Sequence, residues 1–388
     1  MSVWGADILL TDEERALRDS VRSYLDKRWA PLVDEHEQNR TFPWDLVPEL
    51  YDFGFVRGMV AEEHGGDAIS NGALAVIMEE AGRCWASLRT TSNVQGMVCH
   101  ILSRLATDEQ RDRFLQPILA GRRYGWFALT EPDAGSDAAS IRTVAERHGD
   151  ALVLRGTKTY ITNAMHADLG IVMARLHDGG ENMGVTAILV DREESPYGVR
   201  DIPHMPVRST TSCELEFADC EVPVDNILGE VGTGLGSAMS AINVGRLSMA
   251  MGAVGIAQAS LEAAVSYART REQFGRPIGG FQLVQQMIVE IATLTETARL
   301  LGVKAARTLD AGQPARYECS MAKYHCGEAA NRAATLALQV HGGAGLMDEF
   351  PVERYFRDAR EATIPEGTSQ IQILQMGREL LGMSALRS

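Results

Sequence analysis

The chain has 388 residues, 45% of them hydrophobic, and a formal net charge of −15. This length and apolar content allow one large or two to three smaller packed units. Because no run of Lys or Arg and no basic tail offsets the acidic balance, neither nucleic acid nor an anionic membrane is expected as a partner.

The first third of the chain has helical patterns. Thr11-Asp12-Glu13-Glu14 has the spacing of a capping box, and apolar residues at 17, 21, 24 and 25 follow at helical intervals. Further helical patterns run through residues 47–51, 72–82 and 108–120, with a glycine pair at 65–66 between them. We therefore predict an N-terminal α-helical domain over residues 1–125.

Short β-branched or alternating runs begin after position 126. They cover residues 151–162, 170–176, 184–190 and 213–217, and turn residues such as Asp178-Gly179-Gly180 separate them. This pattern predicts a β domain over residues 126–233.

From about residue 234 the pattern is helical again. We predict a long helix over 238–271 that Gly275-Arg276-Pro277 ends, a second helix over 281–309 and a third over 316–340. The most apolar long stretch, 237–265, contains Arg246 and Glu262, so it is predicted to be a buried helix and not a membrane span. The order helix, sheet, helix predicts an α+β protein with a C-terminal helical domain over residues 234–388.

The cysteines and the N-terminus indicate the compartment. None of the six cysteines forms a C-x-x-C pair, and no histidine lies at metal-ligand spacing from two of them. We therefore expect reduced, mostly buried thiols, no metal site and a cytoplasmic location. Residues 1–7 lack a basic segment followed by an apolar core, so no signal peptide is expected.

Segment 364–372 places one carboxylate, Glu366, in a Pro/Gly-flanked turn before a helix. Ser369 and Gln372 have capping-box spacing, so this helix is predicted to begin there and to end near Gly382. A carboxylate held this way among apolar neighbours can have a raised pKa and act as a general base. Taken alone, such a segment is more often a solvated loop.

Two segments of the β domain have residues suited to a flat, polar cofactor. Thr130 and Ser136 flank a Pro/Gly-rich turn within 127–137, where hydroxyls and backbone N–H groups can meet a ring or a phosphate. Tyr160 and Thr162 place an aromatic ring and a hydroxyl at a strand end.

Two helix ends in the C-terminal third are suited to phosphate or to close backbone contact. Arg271 and Arg276 follow the long helix, where guanidiniums can bind phosphate or interact with the helix dipole. Segment 339–345 is a glycine-rich helix exit that lets a ligand approach the backbone. Each of these segments, considered separately, is more often structural than functional.

Taken together, these segments are specific, and the chain resembles the acyl-CoA dehydrogenase family of flavoproteins from about residue 10 to residue 381. Five motifs carry the resemblance: L-T-E-P-x-A-G-S-D at 129–137, Y-I-T-N at 160–163, T-R-x-Q-F-G at 270–275, Q-V-H-G-G-x-G at 339–345 and E-G-T-x-x-I-Q at 366–372. The resemblance implies a middle β-barrel-like domain and a C-terminal four-helix bundle. It also implies a homo-oligomer, a tetramer or a dimer.

The resemblance implies a role for each matching residue. Glu366 matches the base that removes the pro-R α-proton of an acyl thioester, while N5 of FAD accepts the β-hydride. Some family members carry the base on the long helix instead, but that position here is Gly245. Contacts with the cofactor FAD are expected from Phe127, Leu129, Thr130, Ser136, Tyr160, Thr162, Arg271, Gln273, Phe274, Gln339, Gly343, Thr368 and Gln370. Among these, Arg271, Gln273 and Phe274 match residues that reach the FAD of a neighbouring subunit. Substrate contacts are expected from Arg89, Ser136, Arg246 and Gly367.

Arg89 bears on the identity of the acyl group. Glutaryl-CoA dehydrogenases place a carboxylate-binding Arg in this stretch, followed at similar spacing by Val-Gln, and Arg89 with Val94-Gln95 matches that pattern. Arg89 could equally be a surface residue or a structural ion pair. Pro365 stands where the family usually has Tyr, so the family pattern does not predict the shape of the acyl pocket.

Three hypotheses for function follow. The first is an FAD-dependent dehydrogenase of a short acyl-CoA, carboxylated or not, with electron-transfer flavoprotein or another electron acceptor. The second keeps the reaction but takes an acyl group bound to an acyl carrier protein, in polyketide extender or other secondary metabolism. The third is an inactive member of the fold that serves as a binding partner, and the intact Glu366, Thr130 and Arg271 argue against it.

Overall fold

The computed structural model of the chain describes residues 8–386, apart from the side chains of residues 237–242. The N-terminal segment 1–7, for which no signal peptide is expected, therefore lies outside the described residues. Across the described part, helices precede and follow one mixed β-sheet, so the predicted α+β order is confirmed.

The N-terminal region is helical, as predicted. Thr11 caps the first helix in a capping box with Glu14, which confirms that prediction. Residues Trp44–Phe53 form 3-10 turns around Pro48, which removes a backbone donor from the helical ladder. The α-helices of this region are α1 (Asp12–Arg28), α2 (Val33–Asn39), α3 (Asn71–Cys84), α4 (Ala86–Leu105), α5 (Asp108–Gln110) and α6 (Gln116–Leu119).

Helix α4 is an addition to the predicted elements. Its first turns carry Arg, Thr, Ser and Asn side chains, and these polar side chains are buried. Arg89 and Thr90 bond to Glu361 and Asn93 bonds to Glu366, all on the C-terminal side, whereas Ser87 donates to Glu37 of α2.

The middle region is a single eight-stranded sheet. Its order is β6-β7-β3-β2-β4-β5-β8, and β1 pairs with β4 in parallel beside β2. The predicted strand over 151–162 is confirmed, and the other three predicted strands extend further than expected. The strands are β1 (Gly125–Ala128), β2 (Val144–His148), β3 (Ala151–Thr162), β4 (Leu169–Asp178), β5 (Glu181–Asp191), β6 (Gly198–Asp201), β7 (Ser212–Pro223) and β8 (Ile227–Leu228).

Four helices of the C-terminal region pack as a bundle around α9, which contacts the other three. They are α7 (Gly234–Thr270), α8 (Gln282–Asp310), α9 (Arg316–His341) and α11 (Ser369–Leu381), and the unpredicted helix α10 (Val352–Glu361) packs on α9 and α7. A two-strand hairpin, β9 (Glu272–Gln273) with β10 (Arg276–Pro277), follows α7. Part of α7, residues Asn243–Thr270, is long and apolar enough to cross a membrane, but 83% of its most apolar window is buried inside the fold.

The N-terminal and C-terminal helices share one hydrophobic core, and the sheet has a second core of its own. Helices α3 and α7 approach so closely that a Cβ on Gly82 would lie 2.2 Å from the carbonyl oxygen of Gly252. This contact fixes α7 against the N-terminal helices. All six cysteines are free and buried, as expected from the sequence.

Candidate active site

The loop between α10 and α11 presents Glu366. Both Glu366 (φ 59°) and Gly367 (φ 92°) have left-handed backbone, which is unfavourable for a glutamate and has to be held by the surroundings. The carbonyl of Glu366 accepts hydrogen bonds from Gln372 Nε2 (3.1 Å) and Arg246 Nε (3.4 Å). The carbonyl of Gly367 accepts one from Lys323 Nζ (2.7 Å). Three side chains from three helices therefore fix the backbone of this loop.

The Glu366 carboxylate lies against helix α7 and helix α4. A Cβ at Gly245 would lie 2.8 Å from both carboxylate oxygens, so only glycine leaves room for them. Oε1 accepts a hydrogen bond from Asn93 Nδ2 (3.0 Å), and Oε2 is buried with no hydrogen-bond partner among the described residues. One oxygen is therefore anchored and the other is available to accept a proton.

The electrostatics of the carboxylate suit a general base. Burial raises the pKa of Glu366, against the opposing effects of the Arg89 charge, the Asn93 hydrogen bond, and the Lys323 and Arg246 charges. A raised pKa makes the carboxylate a stronger base than a glutamate in water.

The cap of α11 differs from the prediction by one residue. Thr368 Oγ1, and not Ser369, accepts the backbone N–H of Ile371 at the start of the helix. Ser369 donates its hydroxyl to Glu328 Oε1 (2.6 Å), and Gln372 bonds to the preceding loop, so the predicted 369–372 capping box does not form. The predicted end of the helix at Gly382 is confirmed by its left-handed conformation.

Arg89 is buried on α4 with 3% of its surface exposed, which rules out a surface position. Its Nη2 donates to Glu361 Oε2 and to Thr90 Oγ1, both at 2.7 Å. A Cβ at Gly252 would lie 2.8 Å from Arg89 Cδ, so this glycine lets the arginine lie along α7. In the described part of the chain, neither Nε nor Nη1 of Arg89 donates a hydrogen bond, and neither is among the buried atoms without a partner. Arg89 therefore forms an internal ion pair and keeps two donors for another acceptor.

The loop at 129–137 is attached to strand β3 by a buried lysine. Lys158 Nζ donates to the carbonyl of Leu129 (2.9 Å) and to Glu131 Oε1 (2.8 Å). Glu131 also accepts the backbone N–H groups of Arg142 and Thr143. Burial lowers the pKa of Lys158 to about 8, against the opposing effect of Glu131. This ion pair shapes the predicted cofactor loop.

The structure brings the two predicted cofactor segments of the β domain, 127–137 and 160–162, side by side. The backbone N–H of Thr159 donates to the carbonyl of Thr130 (3.0 Å), which places the loop beside the end of β3. A β-bulge between Lys158 and Ile161 coincides with left-handed backbone at Tyr160, whose side chain is 67% exposed. Nearby residues predicted to contact the cofactor vary in exposure: Phe127, Leu129 and Thr162 are half-buried and Ser136 is exposed.

A second group of predicted residues lines an open cleft of about 830 Å³ where α7 and α9 end. Arg271, Gln273 and Gly343 line it, together with the stacked rings of Tyr267 and His341, whose centroids are 4.2 Å apart. A guanidinium, an amide, an aromatic pair and an open glycine backbone suit a pyrophosphate joined to a purine. Contacts between this cleft and FAD stay a prediction.

The remaining predicted cofactor residues lie at exposed or half-buried positions. Phe274 is 93% exposed at the tip of the β9–β10 hairpin. Gln339 and Gln370 are exposed, and Thr368 is half-buried with its hydroxyl capping α11. Their contacts with FAD stay predictions.

Several residues of the site were missed in the sequence. Asn93 lies four residues after Arg89 on one helix face, so helical spacing could have linked the two had α4 been predicted. Lys158 and Lys323 are two of only four lysines in the chain, and both are fully buried. A lysine within an otherwise apolar or small-residue pattern was the available signal.

Comparison with known proteins identifies the family. Domain models described as "Acyl-CoA dehydrogenase" N-terminal, middle and C-terminal domain match residues 11–122, 126–220 and 232–381. The short-chain specific acyl-CoA dehydrogenase of Rattus norvegicus mitochondria is 35% identical over 374 residues, covering 96% of this chain and 91% of that protein.

Two solved structures show the same fold over nearly the whole chain. Glutaryl-CoA dehydrogenase from Mycobacterium smegmatis in complex with FADH2 has a TM-score of 0.93 at 28% identity, covering 99% of this chain and 98% of that one. The prolyl acyl carrier protein oxidase AnaB has a TM-score of 0.89 at 29% identity, covering 96% and 100%. The chain therefore belongs to the acyl-CoA dehydrogenase family, FAD-dependent oxidoreductases that dehydrogenate acyl thioesters.

Proposed function

We propose that the protein dehydrogenates a short acyl thioester between its α and β carbons, with Glu366 as the base. The observation that carries the proposal is the Glu366 carboxylate, which has one oxygen anchored by Asn93 and one buried oxygen with no hydrogen-bond partner in the part of the chain that the structure describes. Burial raises the pKa of this group, so it can accept a proton from a weak carbon acid.

The surroundings of Glu366 support this reaction. A thioester α-proton is weakly acidic, so the developing enolate oxygen needs hydrogen-bond donors placed in advance. Bound FAD supplies the acceptor for the β-hydride. Arg246, buried beside the loop, donates to the Glu366 carbonyl, and with Lys323 it keeps positive charge near the base. We propose Arg246, Ser136 and Gly367 as the further substrate contacts.

We propose that Arg89 recognises a polar or carboxylated end of the acyl group. Its Nη2 is engaged by Glu361, but Nε and Nη1 retain hydrogen-bonding capacity in a buried environment. Arg89 also acts electrostatically on Glu366, so the two groups are close. A short acyl chain reaching past the base would end near this guanidinium, where a carboxylate forms a charge-assisted hydrogen bond.

A second candidate substrate is an acyl group on a carrier protein. The similarity to the prolyl acyl carrier protein oxidase AnaB favours it, because that protein shares the fold over 96% of this chain. The chemistry at Glu366 would be unchanged, and only the thioester carrier would differ.

We further propose a homo-oligomer, a tetramer or a dimer, in which Arg271, Gln273 and Phe274 reach the FAD of a neighbouring subunit. The nearly complete exposure of Phe274 supports this, because its side chain at the hairpin tip is accessible to another subunit. Electron-transfer flavoprotein or another protein would accept the electrons. The free, buried thiols support a cytoplasmic location.

Anaerobic flavin bleaching tests the proposal. The purified flavoprotein would be mixed with a panel of acyl-CoA thioesters and the matching acyl carrier protein thioesters, and loss of the oxidised flavin absorbance recorded. We expect bleaching by one or more short acyl thioesters, and the preferred carrier separates the two candidates.

Glu366→Gln should keep FAD and the fold but abolish bleaching, because an amide of the same shape cannot take the proton. Glu109→Gln, the same change at an exposed residue of α5, is the control and should bleach normally. Near-normal bleaching by Glu366→Gln would remove Glu366 from the role of base.

A further inference from the structure

Asn93 is the residue that distinguishes the two oxygens of the Glu366 carboxylate. Its Nδ2 lies 3.0 Å from Oε1, and no other side chain in the described part of the chain donates to that carboxylate. Oε2 is buried and has no partner there. A free carboxylate has two equivalent oxygens, so this asymmetry is produced by the protein.

Helix α4 holds Asn93 in place from both sides. Two residues further along, Gln95 exchanges two hydrogen bonds with the backbone of Gly125, each 2.8 Å, and so fixes α4 to strand β1. One turn earlier, Arg89 is paired with Glu361 at the end of α10, just before the Glu366 loop. The donor is therefore fixed relative to both the sheet and the loop that carries the base.

We propose that Asn93 is a positioning residue that holds Oε1, so that Oε2 is the oxygen that receives the substrate α-proton. The inference rests on the proposed function of Glu366 as base. In the step concerned, the α C–H bond breaks, the proton passes to Oε2 and the bonding electron pair stays on the substrate. Asn93 keeps its amide protons and acts through its hydrogen bond to the base.

The contact has two effects that can be measured separately. It restricts rotation of the carboxyl group, which keeps the accepting oxygen aimed at one point. It also donates to the charged form of Glu366, which opposes the rise in pKa that burial causes. Removing the amide should therefore slow proton transfer and also move its pH dependence.

The test uses Asn93→Ala and Asn93→Asp in the FAD-loaded protein, with Ser92→Ala as the control. The hydroxyl of Ser92 is buried on the same helix and has no hydrogen-bond partner among the described residues, so this variant removes a polar group of α4 that is not bonded to Glu366. The first measurement is the pH dependence of anaerobic flavin reduction with a saturating substrate. The second is the infrared carboxyl band of Glu366 in the substrate-free protein, assigned by its loss in Glu366→Gln.

For Asn93→Ala we expect the midpoint on the acid side of the pH–rate profile to move to higher pH by about one pH unit or more. Loss of a hydrogen bond to a charged group implies a shift of this size. The infrared midpoint should move with it. Asn93→Asp should move both further, because a second carboxylate beside the first disfavours ionisation. Ser92→Ala should leave both midpoints in place. If Asn93→Ala does not fold, Asn93→Ser, which keeps a donor, takes its place. Its pH midpoints should then shift less than those of Asn93→Asp.

A uniform loss of rate at all pH values, with both midpoints unchanged, would make Asn93 a packing residue and overturn the inference. Unchanged rate and unchanged midpoints would do the same. Failure of the proposed function is recognised differently, because the wild-type protein would then bleach with no thioester. The infrared midpoints would still report whether Asn93 controls Glu366.

Discussion

Replacing Gly245 by alanine tests whether the position of the Glu366 carboxylate, and not only its presence, determines the rate. The new methyl carbon would lie 2.8 Å from both carboxylate oxygens and 2.9 Å from Cδ, whereas ordinary contacts begin at 3.4 Å. The carboxylate must then move by about 0.6 Å or more. Such a shift would stretch or break the hydrogen bond from Asn93.

The expected effects on rate and on stability differ in size. Because a misplacement of about 1 Å can cost roughly 100-fold in rate, Gly245→Ala should slow flavin reduction by about 10- to 100-fold. The stability should change by less than about 1 kcal/mol, because the displaced atoms end a flexible side chain and alanine favours helix over glycine by up to about 1 kcal/mol.

The assay is anaerobic stopped-flow reduction of the flavin, with FAD content and melting temperature measured on the same preparations. Gly236→Ala is the matched control on α7, since a Cβ there would meet no atom of the described side chains within 4 Å. That variant should retain the wild-type rate. A wild-type rate in Gly245→Ala, or a rate loss explained fully by lost FAD, would refute the reasoning.

Three further predictions concern the other charged groups. Arg271→Ala should weaken FAD retention by about 10- to 100-fold through loss of a charge-assisted hydrogen bond, and should loosen the oligomer, as flavin absorbance and solution mass would show. Arg269→Ala, exposed and outside the cleft, should do neither, and full FAD in Arg271→Ala would contradict the assignment. Arg89→Ala should lower kcat/KM for a glutaryl thioester by about 10- to 100-fold with little effect on a butyryl thioester, and Arg89→Lys should recover only part. An equal loss for both substrates would make Arg89 structural. Lys158→Met should cost about 3–5 kcal/mol in urea unfolding because it leaves Glu131 buried without its partner, and adding Glu131→Gln should restore part of that. If the losses in unfolding free energy of the two single variants simply add in the double variant, Lys158 and Glu131 do not stabilise each other.

The elements that the sequence predicted well are those whose local pattern agrees with their environment. Strand β3 was predicted with its bounds because its residues alternate and turns flank it. The capping residue of α11 was missed because Thr368 and Ser369 are both able to cap. A tertiary bond from Ser369 to Glu328 decides between them, and Glu328 lies 41 positions away.

The candidate site was predicted only in part, because local motifs reveal some of its residues and tertiary contacts determine the others. Glu366 could be found because its motif is contiguous. Asn93 could not, because its function depends on a contact 273 positions along the chain and on a helix whose polar face is buried. A polar stretch usually indicates an exposed surface, but here other parts of the chain bury it. The local sequence pattern alone does not show this burial.

Because the chain has only four lysines, an amine-reactive label can report on each lysine position separately. Two of the four lysines, Lys27 and Lys304, are exposed, whereas Lys158 and Lys323 are fully buried. Modification of Lys158 requires the 129–137 loop to separate from β3, and modification of Lys323 requires the Glu366 loop to lift from α9. Timed acetylation read by mass spectrometry would therefore follow the opening of the two loops independently, with Lys27 and Lys304 as internal standards in every sample.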